Sequence, residues 1–175
     1  MNIVIKGEIN MKIIFLDVDG VLNDRNTKHT TRGALGIDID DTKIQYLKNI
    51  VDATNAQIVL CSGWKLGWNP NILNQSVSAQ YLTNKLSNYG LTIADRTYDP
   101  EGFSYRGAGI KNWLAIHTTV ETWVVLDDEI FIDYEEQGIM PHLVKSSFYD
   151  NGLTEELAEQ AIKILKGELK TWPNG

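Results

Sequence analysis

The chain has 175 residues, 43% of them hydrophobic and 22% charged, with a formal net charge of −7. That length suggests one domain and suffices for one buried core, and an acidic surface does not by itself attract nucleic acid. A single cysteine, Cys61, excludes an intramolecular disulfide. No apolar run approaches the roughly 18 residues of a membrane span, and the N-terminus lacks the pattern of a secretory signal, so a cytoplasmic location is the default expectation. His29, His117 and His142 are scattered without zinc-ligand spacing.

Residues 1–10 are weakly patterned and read as a dispensable N-terminal extension, with the compact domain spanning 11–175. Residues 12–16 (KIIFL) form a short, continuous apolar strand of the kind buried on both faces of a parallel sheet. The strand ends at Asp17-Val-Asp-Gly20. Residues 21–39 carry Asn, Gly, Thr and Asp without periodicity and read as a flap. A helix is predicted over 41–53, with Ile44, Leu47, Ile50 and Val51 on one face and Asp40 or Asp41 as its cap. Residues 57–61 (QIVLC) are a second buried strand, ending at Ser62-Gly63. Residues 65–75 are loop-like, because Gly67 and Asn69-Pro70 break the pattern.

A helix over 76–88 and a strand over 91–94 follow, and the stretch 66–99 is where a small cap insertion would fit. Asp99-Pro-Glu-Gly102 signals a turn. A helix at 107–116 precedes a buried strand at 123–126, which ends in Asp127-Asp128. A short strand at 142–145 leads to a last helix capped by Thr154, with Glu155 and Glu156 in its first turn. Strands alternating with helices predict an α/β three-layer sandwich: a parallel Rossmann-like sheet with helices on both faces. In such sheets ligands bind beyond the carboxyl ends of the strands. Asp17, Asp19, Ser62, Asp127 and Asp128 all fall there.

Asp17 and Asp19 are two residues apart in an extended or turning segment and point to one side. Carboxylates that close repel, so one holds a proton or a cation bridges them. A set of hard oxygen ligands suits Mg²⁺, and Asp127 and Asp128 add a second acidic strand end to the same crevice. Ser62, through its hydroxyl and the backbone N–H groups around Gly63, can donate to a phosphate. A phosphoryl group also needs a cationic side chain. Arg106, Lys111 and Lys65 are available; Arg106 is favoured because it opens the helix before the Asp127 strand. Lys111 lies five residues on, about 140° around that helix. Trp64 and Trp68 flank the Ser62 turn and either stack on a base or pack in the core.

Asp17-Val-Asp-Gly-Val-Leu22 resembles the first motif of the haloacid dehalogenase (HAD) superfamily. Ser62 after residues 58–61 resembles the second, and residues 124–128 (VVLDD) the fourth. Arg106-Gly-x-x-Ile110 is similar to the basic third motif, with arginine in place of the usual lysine. Residues 60–65 (LCSGWK) and 148–154 (FYDNGLT) look like the small HAD domains of RNA-repair and polynucleotide 3′-phosphatase-like proteins. The resemblance implies a HAD-like domain with a minimal cap and a magnesium-dependent phosphatase of nucleotides or nucleic-acid ends. By the same resemblance Asp17 is the nucleophile and Asp19 the acid/base. Ser62 and Arg106 hold the phosphoryl oxygens; from the residues themselves, Gly63 and Lys65 are further candidate phosphate contacts, with a surface role the alternative for Lys65. Mg²⁺ is held by Asp17, the Asp19 carbonyl and Asp127, with Asp128 beside them. The alternatives are a phosphotransferase or small-metabolite phosphatase on the same scaffold, and a non-catalytic binding module. A receiver domain fits poorly, because its paired acids stand side by side after the first strand.

Overall fold

The computed structural model describes residues 11–28, 38–99 and 101–168. The N-terminal extension and residues 29–37 of the expected flap therefore lie outside the described residues. Five parallel strands form one sheet in the order β3-β2-β1-β4-β5: β1 Met11–Leu16, β2 Gln57–Leu60, β3 Ile93–Arg96, β4 Val120–Asp127 and β5 Leu143–Lys145. The helices are α1 Asp41–Thr54, α2 Val77–Ser87, α3 Arg106–Ile116 and α4 Glu155–Leu165. No helix among the described residues is long and apolar enough to cross a membrane.

The period of two along β1 divides the core. Ile14 and Leu16 face a cluster that includes Ile44 and Leu47 of α1, Leu82 and Leu86 of α2, and Ala161 and Leu165 of α4. Ile13 and Phe15 face the other side, with Ile110 and Trp113 of α3 and the buried Tyr134. These four residues of β1 are fully buried, as a central strand covered on both faces requires. The sheet thus has α1, α2 and α4 on one face and α3 on the other, as the alternation predicts.

The helix starts follow from local chemistry. Asp40 accepts from the Thr42 backbone N–H at 2.8 Å and caps α1, and Thr154 accepts from Leu157 N–H to cap α4. α3 has no such residue of its own. Its cap is Asp133, a buried carboxylate from the loop after β4, which accepts from Gly107 N–H at 3.1 Å and Ala108 N–H at 2.7 Å. The approach is so close that a Cβ on Gly107 would lie 2.9 Å from the Asp133 carboxyl carbon.

Three boundaries differ from expectation for physical reasons. β3 runs over 93–96 rather than 91–94: Leu91 is buried before the strand, and Asp95 and Arg96 are tolerated because β3 is an edge with solvent on one side. β4 begins at Val120, not Trp123, because it pairs along the whole of β1 and its half-exposed start accepts Glu121 and Thr122. The stretch 65–75 is not plain loop; Gly63–Gly67 and Ile72–Asn74 are short 3₁₀ turns. The stretch 66–99 supplies α2 and β3 to the main layers.

Candidate active site

The chain leaves β1 to build one side of the sheet, then returns to place β4 against the other side of β1. The strand order reverses between β1 and β4, and a crevice opens at their carboxyl ends. Asp17 follows β1 directly, with its N–H bonded to the Leu126 carbonyl at 2.9 Å. Asp127 is the last residue of β4. A cavity of about 370 Å³ sits there, lined by Asp17, Asp19, Ser62, Gly63, Arg106, Asp127 and Asp128, with Glu129, Phe131, Phe148 and Tyr149 at its rim.

Gly20 turns the chain out of β1 with φ +76°, and a side chain there would collide with Asp128 at 2.1 Å. Only glycine gives both the left-handed turn and the close approach of the two acidic segments. Ser146 locks the turn by donating its hydroxyl to the Gly20 carbonyl at 2.7 Å.

Arg106 is buried and opens α3. Its Nη1 donates to Asp17 Oδ1 at 2.8 Å and to Asp127 Oδ2 at 2.6 Å. The Phe131 ring covers its guanidinium, 4.0 Å from centroid to carbon, a cation–π contact. Asp127 is fully buried with both oxygens engaged: Oδ2 also accepts from the Tyr134 hydroxyl at 2.7 Å, and Oδ1 accepts from Glu129 N–H at 3.0 Å. Among the described residues no donor takes Asp17 Oδ2. Ser62 Oγ accepts from Trp64 N–H at 3.4 Å, which leaves the hydroxyl hydrogen free to donate. Gly63 beside it is exposed.

The remaining expected site residues fall elsewhere. Lys65 does not line the crevice. It is buried, and its ammonium donates to Asp99 Oδ2 at 2.5 Å, Thr97 Oγ1 at 3.0 Å and the Cys61 carbonyl at 3.3 Å. The cation is committed to tying the Ser62 turn to the end of β3. Lys111 is exposed on α3 away from the crevice, so Arg106 is the cation that the fold brings to the acids. Trp64 and Trp68 are buried in the main apolar cluster, the core alternative of the two readings. Tyr149, 71% exposed with its ring set edge-on against Phe148, stands at the rim instead.

Asn23, Tyr134, Asp133 and the aromatic rim escape a reading by motif. One signal was present: α3 begins without a capping residue of its own, and a buried helix start needs an acceptor from elsewhere.

Five carboxyl groups line the crevice against one guanidinium. Burial pushes the Asp17 carboxyl up to about 8; Arg106 pulls it down, while Asp127, Asp128 and Asp19 raise it further. Burial, then the neighbouring Asp127 and Glu129, push Asp128 up to about 6. Such a site needs protons or a cation. Asp17, Asp127 and Asp128 each offer a carboxylate oxygen, all within 4.8 Å of one another. This all-oxygen donor set fits a hard divalent ion such as Mg²⁺.

A cation binds the ionised carboxylates, so binding releases the protons that these raised groups hold. Mg²⁺ affinity should therefore rise with pH through the window of about 6 to 8 and level off above it. Calorimetric titration at pH 7 in two buffers of different ionisation enthalpy should give different apparent heats. Identical heats would mean that no proton leaves.

The sequence matches the family described as "HAD domain in Swiss Army Knife RNA repair proteins" over residues 13–158. Searches of the curated proteins and of the solved structures gave no significant match.

Proposed function

Because the chain belongs to the HAD domains of Swiss Army Knife RNA repair proteins, we propose that it is a Mg²⁺-dependent phosphatase that takes the phosphoryl group onto Asp17. One observation carries this reading. Asp17 Oδ1 is held by Arg106 at 2.8 Å, while Oδ2 has no donor among the described residues, and Asp17 lines a cavity of about 370 Å³, large enough for a phosphate.

In the first step an Asp17 oxygen attacks phosphorus, the bond to the leaving oxygen breaks, and Asp19 gives that oxygen its proton. In the second step Asp19 takes a proton from water as the water oxygen attacks phosphorus. The bond to Asp17 breaks, and inorganic phosphate leaves. The Ser62 hydroxyl, the backbone around Gly63 and the unshared N–H groups of Arg106 receive the phosphoryl oxygens. Asp17, Asp127, Asp128 and the Asp19 carbonyl would hold Mg²⁺, whose charge would offset the negative charge that a phosphate adds to an acidic crevice.

The substrate class we propose is a nucleotide or a nucleic-acid end. The aromatic rim supports it: Phe131 is engaged with Arg106, but Tyr149 presents its ring beside the phosphate site and can stack on a base. Phosphate release from nucleoside 3′-monophosphates, 3′-phosphorylated oligonucleotides and ribose phosphate, with Mg²⁺ and with chelator, tests both claims. Tyr149→Ala should raise KM for the base-bearing substrates by about tenfold, as loss of one stacking contact does, and leave ribose phosphate unchanged. Release undiminished in chelator would overturn the metal requirement. Equal KM effects on all substrates would overturn base stacking.

A further inference from the structure

Trp64 makes a contact that core packing does not require. Its indole N–H, which can only donate, reaches Asp19 Oδ2 at 2.8 Å across 45 residues of sequence. The other oxygen, Asp19 Oδ1, accepts from Asn23 Nδ2 at 2.9 Å. The orientation of the Asn23 amide is set independently, because its Oδ1 accepts from the Gly20 backbone N–H at 2.9 Å. Asn23 is fully buried, and Trp64 is 6% exposed within the apolar cluster. Two immobile donors thus hold both oxygens of a half-buried carboxyl group that lines the crevice. Trp64 also gives its backbone N–H to Ser62 Oγ. One residue therefore joins the phosphate-binding turn to Asp19.

We propose that Trp64, with Asn23 as its counterpart, is a positioning residue that fixes the plane of the Asp19 carboxyl group relative to a phosphate seated at Ser62 and Gly63. The inference rests on the reading of Asp19 as the acid/base. Proton transfer demands hydrogen-bond distance between Asp19 and the leaving oxygen. A carboxyl group held by one donor can turn about its side-chain bonds, and a misplacement of about 1 Å costs on the order of a hundredfold in rate. Trp64→Phe deletes the N–H while keeping an aromatic ring in the core, and the freed Asp19 oxygen can be solvated from the crevice.

The test is single-turnover phosphoryl transfer with two probes of similar shape. p-Nitrophenyl phosphate has a leaving oxygen that departs without a proton; p-nitrobenzyl phosphate has an alkoxide that needs one. Trp64→Phe should slow p-nitrobenzyl phosphate by about ten- to a hundredfold, change p-nitrophenyl phosphate by less than about threefold, and leave KM for both unchanged. Equal losses on the two probes, or none on either, would overturn the proposal. Asp19→Asn runs alongside. If Asp19→Asn discriminates between the probes and Trp64→Phe does not, the positioning role alone fails. If Asp19→Asn does not discriminate, the acid/base reading fails and the inference falls with it. A second readout needs neither turnover nor a folded Trp64 variant. In metal-free protein, Asp19→Asn should move one indole N–H resonance upfield and speed its exchange with solvent. Unchanged indole signals would also overturn the proposal.

Discussion

Asp17→Asn should lower turnover by about three orders of magnitude or more, the scale of removing a nucleophile, and at the same time raise the stability of the metal-free protein. The second half follows from the site's charge. In the folded chain burial lifts the Asp17 carboxyl from its ordinary 3.8 to about 8. Between those values the folded state holds a proton that the unfolded state has lost. Stability therefore falls as pH rises through the window, and the full cost is in place above about 8. Asparagine removes the ionisable group and that cost. Because Arg106 is left with one fewer anionic partner, the net gain should be on the order of 1–3 kcal/mol at pH 8. Thermal melting in chelator at pH 5 and pH 8 checks the sign. The variant should gain at pH 8 and little at pH 5, with kinetics on p-nitrophenyl phosphate reporting the loss of turnover. An active variant would end the nucleophile assignment, and a destabilised one would mean that Asp17 is held ionised by Arg106.

Asp127→Asn should move stability the other way. Asp127 accepts from Arg106, Tyr134 and the Glu129 N–H, three donors on two oxygens. An amide has one acceptor oxygen, so its NH₂ must face at least one of those donors. The expected cost is about 1–3 kcal/mol for a buried donor left without its acceptor. Turnover should fall by about 10²–10³-fold, as it does when a preorganised electrostatic group is lost, and Mg²⁺ should bind more weakly. Melting, calorimetric titration and kinetics on one preparation separate these effects. Normal metal affinity in a folded variant would remove Asp127 from the ligand set.

Much of this site is legible from strand ends. The apolar runs before Asp17, Ser62 and Asp127 stop abruptly at polar residues, and parallel topology gathers those ends without further information. Arg106 is legible as the basic residue opening the helix before β4, although its bond to two carboxylates at once is not. What sequence could not supply depends on long-range register. Lys65 looks like a phosphate ligand because it stands beside Ser62. Its actual partner, Asp99, lies 34 residues on and is brought there by β3. Asp133 caps α3 from a loop that carries no periodic signal. Trp64 reads equally as a stacking surface or as core, and only the fold shows an indole whose ring is buried while its N–H is given to Asp19. The edge strand β3 is misplaced by two residues because charged Asp95 and Arg96 hide its end.

A covalent phosphoryl group on Asp17 is what separates this mechanism from direct attack by water. Asp19→Asn, mixed with p-nitrophenyl phosphate and Mg²⁺, should form that species, because the leaving group needs no acid, and hold it, because the second step lacks its base. Acid quenching followed by borohydride reduction and peptide mass spectrometry should then find homoserine at position 17. A protein that releases p-nitrophenol in a burst equal to the enzyme concentration but carries its label at another residue, or one that releases phosphate with no burst and no label at all, would rule out Asp17 as the nucleophile.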